Sequence, residues 1–187
     1  MRIKTHIVGW SLWPLLSVVF TAGLCTAEGQ VYLTQEEALK LAFATADSIE
    51  RKTVFLTDKQ AEAIQLKARA EVESKIVTYY VARDLENVLG YAFFETQIVR
   101  TMPETYMAVV DPDGSLRTVE ILAFYEPGDY LPSRRWLSQF DKKTLNDDLW
   151  VKRGIQNISG ATLSAQSIAE GVRRVLATFA IAIPKEK

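Results

Sequence analysis

The stretch Ser159-Gly160-Ala161-Thr162-Leu163-Ser164 sets hydroxyl-bearing and small residues at the entrance to an amphipathic helix pattern. Two kinds of chemistry suit such a junction. A helix N-terminus leaves backbone N–H groups unpaired and carries partial positive charge, so a phosphate is stabilised there. Gly160, without a Cβ, lets the backbone come close to an anion; Ala161 keeps the neighbouring space small; the Thr162 hydroxyl lies within covalent reach. The same residues also suit a plain cap, because Ser or Thr before a helix contributes about 1 kcal/mol with no ligand at all. Both readings stand at this point.

What the chain lacks narrows the remaining chemistry. His6 and Cys25 are its only histidine and only cysteine. Both fall in residues 1–27, which have the layout of an export signal: Arg2 and Lys4, then the uncharged run "IVGWSLWPLLSVVFTAGL", then "CTA". Cleavage is expected after Ala27, with an uncleaved anchor as the alternative. The apolar run is at the short end for a membrane span, and Pro14 inside it weighs against anchoring. Leu24 is too large for the position before a lipoprotein cysteine. The exported chain then has no thiol nucleophile, disulfide, Cys/His zinc site, Ser-His-Asp triad or covalent c-type haem. Losing Arg2 and Lys4 turns the formal net charge from −1 to −3, which gives nucleic acid no basic surface. No metal site is expected.

Residues 28–187 are expected to form one domain, since 48% hydrophobic residues suffice for a core at this length. In "YLTQEEALKLAFATA" a capping box of Thr34 and Glu37 opens a first helix with Ala38, Leu41, Ala42 and Thr45 on one face. Thr57 and Gln60 repeat the device before a weaker apolar stripe of Ala61, Ile64, Ala68 and Val72. The segments "KIVTYYVAR", "LGYAFFETQIV", "TYMAVV" and "LRTVEILAFY" read as about four antiparallel strands. Asp111-Pro112-Asp113-Gly114 is the clearest turn; it lacks the later acidic ligands of a calcium loop. Ser133 is expected to cap a short helix carrying Trp136, Leu137 and Phe140. The last helix spans about Ser164 to Ala180, with Ile168, Val172, Val175, Leu176 and Phe179 buried and Glu170, Arg173 and Arg174 outside. The fold class is therefore α+β, a central antiparallel sheet flanked by helices.

"SGATLS" before an amphipathic helix resembles the S-G-A-T-x-[TS] signature of the FMN-binding domain family. That family includes the flavin-carrying periplasmic subunits of the sodium-translocating NADH:quinone reductase and of Rnf-type complexes. The order of strands around a D-x-D-G turn, an E-P-G segment, a "WLSQF" helix and the motif is similar too, over roughly residues 105–180. The resemblance implies a domain of the FMN-binding type with FMN joined through a phosphoester to Thr162. Ser159, Gly160 and Ala161 would frame the acceptor, Ser164 would fill the last motif position, and Glu126, Pro127 and Gly128 would contact the cofactor. Two departures stand out: Gln156 occupies a position usually acidic in the family, and the longer E-T-P-G-x-G segment is present only as "YEPGDY".

Under that resemblance the chain is an exported electron carrier in the periplasm, matured by a flavin transferase and exchanging electrons with a cytochrome or membrane reductase. The flavin would supply the redox chemistry that a chain without Cys or His cannot. Its ring needs an apolar wall, for which Tyr125, Tyr130, Trp136 and Phe140 are candidates, Tyr130 and Trp136 foremost. Lys152 and Arg153 are candidate phosphate partners. Alternatives are a non-redox accessory module, in which "SGAT" is only a cap, and a flavin-dependent reductase. No G-x-G-x-x-G for a nicotinamide cofactor occurs.

Overall fold

The computed structural model describes residues 30–184, so the expected export signal at 1–27 lies outside the described residues. The strands are β1 (Gln30–Val31), β2 (Ser48–Phe55), β3 (Ile76–Asp84), β4 (Asn87–Val99), β5 (Met102–Val110) and β6 (Leu116–Phe124). They form one six-stranded sheet in the order β1-β6-β5-β4-β3-β2, with every pairing antiparallel. Helices α1 (Gln35–Ala42), α2 (Asp58–Ala68), α3 (Arg134–Leu137) and α4 (Thr162–Ala182) complete an α+β fold. Among the described residues no helix is long and apolar enough to cross a membrane.

Because side chains alternate across a strand, the sheet has two separate apolar faces. Tyr79, Val81, Tyr91, Phe93, Tyr106, Ala108, Val119 and Ile121 pack with α4 and with the 136–140 segment. Ala82, Ala92, Met107, Val109 and Leu122 pack beneath α1 with Ala38, Leu39 and Phe43. Covering both faces explains why Tyr106–Val110 of β5 is buried at every residue and reads as a continuous apolar run. The turn at Asp111–Gly114 closes as expected, with the Gly114 N–H donating to the Asp111 carbonyl at 2.9 Å and Gly114 at φ 90°.

Four sequence expectations are corrected. The sheet has six strands rather than four: β1 is only two residues long, and β2 is a charged edge strand whose "ERK" core hides the period-2 pattern. In α1 the sheet-facing residues are Ala38 and Leu39, while Leu41 is 69% exposed, because the helix stops at Ala42 and Phe43 turns inward. The last helix begins at Thr162, two residues earlier than expected. Arg173 and Arg174 are not outside. Arg173 is buried, its Nε donating to the Ala68 carbonyl at 2.8 Å and its Nη1 to that of Leu149 at 3.1 Å, with the guanidinium 3.6 Å from the Trp150 ring centre. It thereby ties the end of α2 and the 149–150 loop to α4. Arg174 pairs with Glu95 across the sheet face.

Gly171, in the middle of α4, is where helix and sheet come closest: a Cβ there would collide with the Tyr106 hydroxyl and the Gln97 side chain. Glycine inside a helix costs about 1 kcal/mol relative to alanine. The close approach explains its presence. The fully buried Tyr106 hydroxyl is bonded to Gln97 at 3.0 Å just beneath it, and burial raises its pKa well above the ordinary value.

Candidate functional site

Among the described residues, three of the four α-helices are capped by a side chain and the last is not. Thr34, Thr57 and Ser133 accept the N–H of Glu37, Gln60 and Trp136 at the starts of α1, α2 and α3. At α4 the residue before the helix is Ala161, at φ −115° and ψ 38°, and no side chain caps the first turn. The hydroxyl-rich stretch therefore does not use its hydroxyls as a cap. Ser159 is exposed; the Thr162 hydroxyl accepts a hydrogen bond from Asn157 Nδ2 at 3.0 Å and stays half-buried at the helix mouth. Unpaired N–H groups and the positive end of a helix 21 residues long converge there.

Gly160 sits at φ 82°, in the left-handed region that favours glycine, and a Cβ on it would meet nothing within 4 Å. Its backbone thus reverses the chain and leaves open space beside the helix start. Ala161 is fully buried, and its N–H donates to the Ile158 carbonyl at 3.1 Å, so the turn is anchored on the inner side only.

The two sequence segments expected to share a site do meet. Ser164 is fully buried, and its hydroxyl donates to Glu126 Oε2 at 2.9 Å. Arg100, in the β4–β5 turn, donates to the other oxygen of that carboxylate at 2.8 Å and lies 4.7 Å from the Tyr130 ring centre. Glu126 is held on both oxygens and cannot swing. Pro127 and Gly128 are exposed beside it, and no atom lies within 4 Å of where a Gly128 Cβ would be.

Beneath this cluster lies a group that the sequence reading missed. Glu104 of β5 is fully buried and neither of its oxygens has a hydrogen-bond partner. Burial, reinforced by the negative charge of Glu126, raises its pKa to about 8, so it is neutral at pH 7. Glu104 pairs in register with Phe124, two residues before Glu126, which is why the two carboxyl groups are neighbours. Nothing in a single strand's pattern marks such a pair, since β5 and β6 must first align.

The aromatic candidates separate. Trp136 and Phe140 are buried against one another, ring centres 5.4 Å apart and edge to face, within the main core. The Trp136 indole N–H donates to the Gln156 carbonyl at 2.6 Å, and the Gln139 side chain accepts the Gln156 N–H at 2.8 Å. These contacts fix the loop leading into the motif. Tyr125 and Tyr130 are half-buried and keep part of their rings accessible. Lys152 is exposed at φ 68°, and Arg153 is paired with Asp148 at 3.1 Å. A groove of about 320 Å³ also flanks α4; Leu163 and Arg100 line its near part. The uncapped start of α4, with the open side of Gly160 beside it, is a place where an anion is stabilised.

No family model matches the chain, and no curated protein matches it. Among solved structures, it is similar to the crystal structure of Shewanella oneidensis NqrC, at 16% sequence identity and a TM-score of 0.47, with 79% of this chain and 84% of that one covered.

Proposed function

We propose that this chain is an exported electron-transfer module that carries FMN through a phosphoester on Thr162. The observation that carries the reading is the uncapped start of α4. A motif of hydroxyl residues leaves the first-turn N–H groups free and holds the Thr162 hydroxyl at the same mouth, beside the open side of Gly160. The bound flavin would supply reversible redox chemistry. The chain's own residues do the rest. First-turn N–H groups of α4 bind the phosphate, Asn157 orients the Thr162 oxygen, and the Ser164–Glu126 bond locks the E-P-G segment to the helix. Ser159 and Gly160 remain exposed, so a flavin transferase can reach the acceptor. A covalent tether prevents loss of the cofactor outside the cytoplasm, where a cytochrome or membrane reductase would exchange electrons with it.

The test is mass spectrometry of protein made together with the transferase. The wild type should gain one FMN less one water, located on Thr162, and Thr162→Ala should gain nothing. A wild type that remains unmodified and colourless under those conditions rejects the proposal and favours a non-redox accessory role.

A further inference from the structure

The central sheet divides between its third and fourth strands. The ladder joining β3 to β4 runs from Asp84↔Asn87 only as far as Tyr79↔Phe93. Beyond that point β3 continues beside β2 through Thr78 and Val77 to Ile76, and β4 continues beside β5 through Phe94 to Val99, with no ladder between the two arms among the described residues. Backbone groups of successive strand residues point alternately to the two neighbours, so every second residue of each arm turns its N–H and C=O into the split. At Ile76 a side chain stands where a strand would be: the Ser74 hydroxyl accepts the Ile76 N–H at 3.1 Å and donates to the Ile76 carbonyl at 3.2 Å.

A cavity of about 310 Å³ occupies the split. Ile76, Val77 and Thr78 line one side and Phe94, Glu95 and Thr96 the other, while Leu56, Val72 and Val175 add apolar surface. Ile76 is 58% exposed and its register partner Phe55 70%, so the mouth is apolar and uncovered. Charge in the cavity is unbalanced. Arg174 pairs with Glu95, and Glu73 lines the same space, so two carboxylates share one guanidinium. Lys75, two residues beyond Glu73, is engaged by Asp58. Burial raises the Glu95 pKa, Arg174 opposes the rise and Glu73 reinforces it, so a further cation would relieve the site.

We propose that this split is a docking slot for an extended peptide segment of a partner protein, added as a short strand along β4 from Phe94 to Ile98 with a lysine or arginine side chain at Glu73 and Glu95. An open strand edge is a template for another strand: main-chain bonds supply affinity, and alternate side chains supply the choice of partner. Side chains on one face of the added strand meet Leu56, Val72 and Val175, and the excess carboxylate selects for positive charge among them. A small amine would answer the carboxylates but not the strand edge. Thr162 does not line the slot, so the proposal stands apart from any cofactor there.

The experiment titrates full-length protein with the end-blocked peptide Val-Thr-Lys-Thr-Val, which sets valine, lysine and valine on one face of a strand, and follows backbone amide signals by NMR. Saturable shifts are expected at residues 76–78 and 94–98. Glutamate in place of the peptide's lysine should weaken binding about tenfold, through the charge, and N-methylation of its backbone by a similar factor, through the strand edge. Glu73→Gln, an exposed substitution that keeps the Arg174–Glu95 pair, should weaken the lysine peptide severalfold and narrow its lead over the glutamate peptide. Butylamine, which carries the cation without a backbone, should not displace the peptide at equal concentration. Absent shifts, or shifts confined to other residues, would overturn the slot. So would an N-methylated peptide that binds as well as its parent, or displacement by butylamine, either of which would leave only a site for a cationic side chain or small amine.

Discussion

Ser164 and Glu126 are joined by a buried 2.9 Å hydrogen bond across 38 residues of chain, the hydroxyl donating to Oε2. This bond couples the first turn of α4 to the segment after β6, so each half of the candidate site depends on the other. Removing one partner of a buried charge-assisted hydrogen bond costs roughly 1–3 kcal/mol, because the other group is left desolvated and unpaired. Ser164→Ala should lower stability by about that amount in urea unfolding. Its loss should also loosen the E-P-G segment, read as faster amide exchange at Gly128 and Asp129. An unchanged exchange rate would show that the segment is held independently of α4.

The unused cap at α4 leads to a contrast between threonines. Thr34→Ala and Thr57→Ala remove real caps and should each cost about 1 kcal/mol in folding stability. Thr162→Ala removes no cap, only the acceptor of the Asn157 amide, and alanine is the better helix former. Its cost should stay under about 0.5 kcal/mol in apo protein, in line with surface substitutions away from a cap. Thermal unfolding of the three variants checks this. A large loss at Thr162 would mean that the hydroxyl serves the helix after all.

Glu104 gives the fold a pH dependence of definite sign. Its pKa is raised from 4.5 to about 8, so between those values the folded chain keeps a proton that the unfolded chain has released. Stability from this residue is fully present below the unfolded value and is lost as pH rises through the folded one. At about 1.4 kcal/mol per unit, the loss is on the order of 5 kcal/mol across that window. Urea unfolding of wild type should weaken from about pH 5 to about pH 8.5, and Glu104→Gln should flatten that slope whatever its absolute stability. The exposed carboxylates Asp58, Asp113 and Asp147 have lowered pKa values through bonds to Lys75, Ser115 and Thr144, so they act below this window. Equal slopes for wild type and variant would place the titration elsewhere.

The local signals were legible because they are written in neighbouring residues. The capping boxes at Thr34 and Thr57, the turn at Asp111–Gly114, four of the six strands and the buried stripe of α4 each follow from spacing within one segment. The candidate acceptor at Thr162 was legible for the same reason, as was the choice it posed between cap and anion site. That choice depended on where the hydroxyls point, which a run of residue types does not specify.

Everything that joined distant segments was decided by the tertiary structure. Only the register of β5 on β6 sets Glu104 near Glu126, and only the docking of α4 brings Ser164 and Arg100 to the two oxygens of one carboxylate. Arg173 looked like a solvent-facing residue until α2 and the 149–150 loop supplied carbonyls and a ring to receive it. The physical reason is common to these cases. A side chain's type and period report what one element can offer, whereas burial, pairing and charge are set by the atoms that other elements place around it.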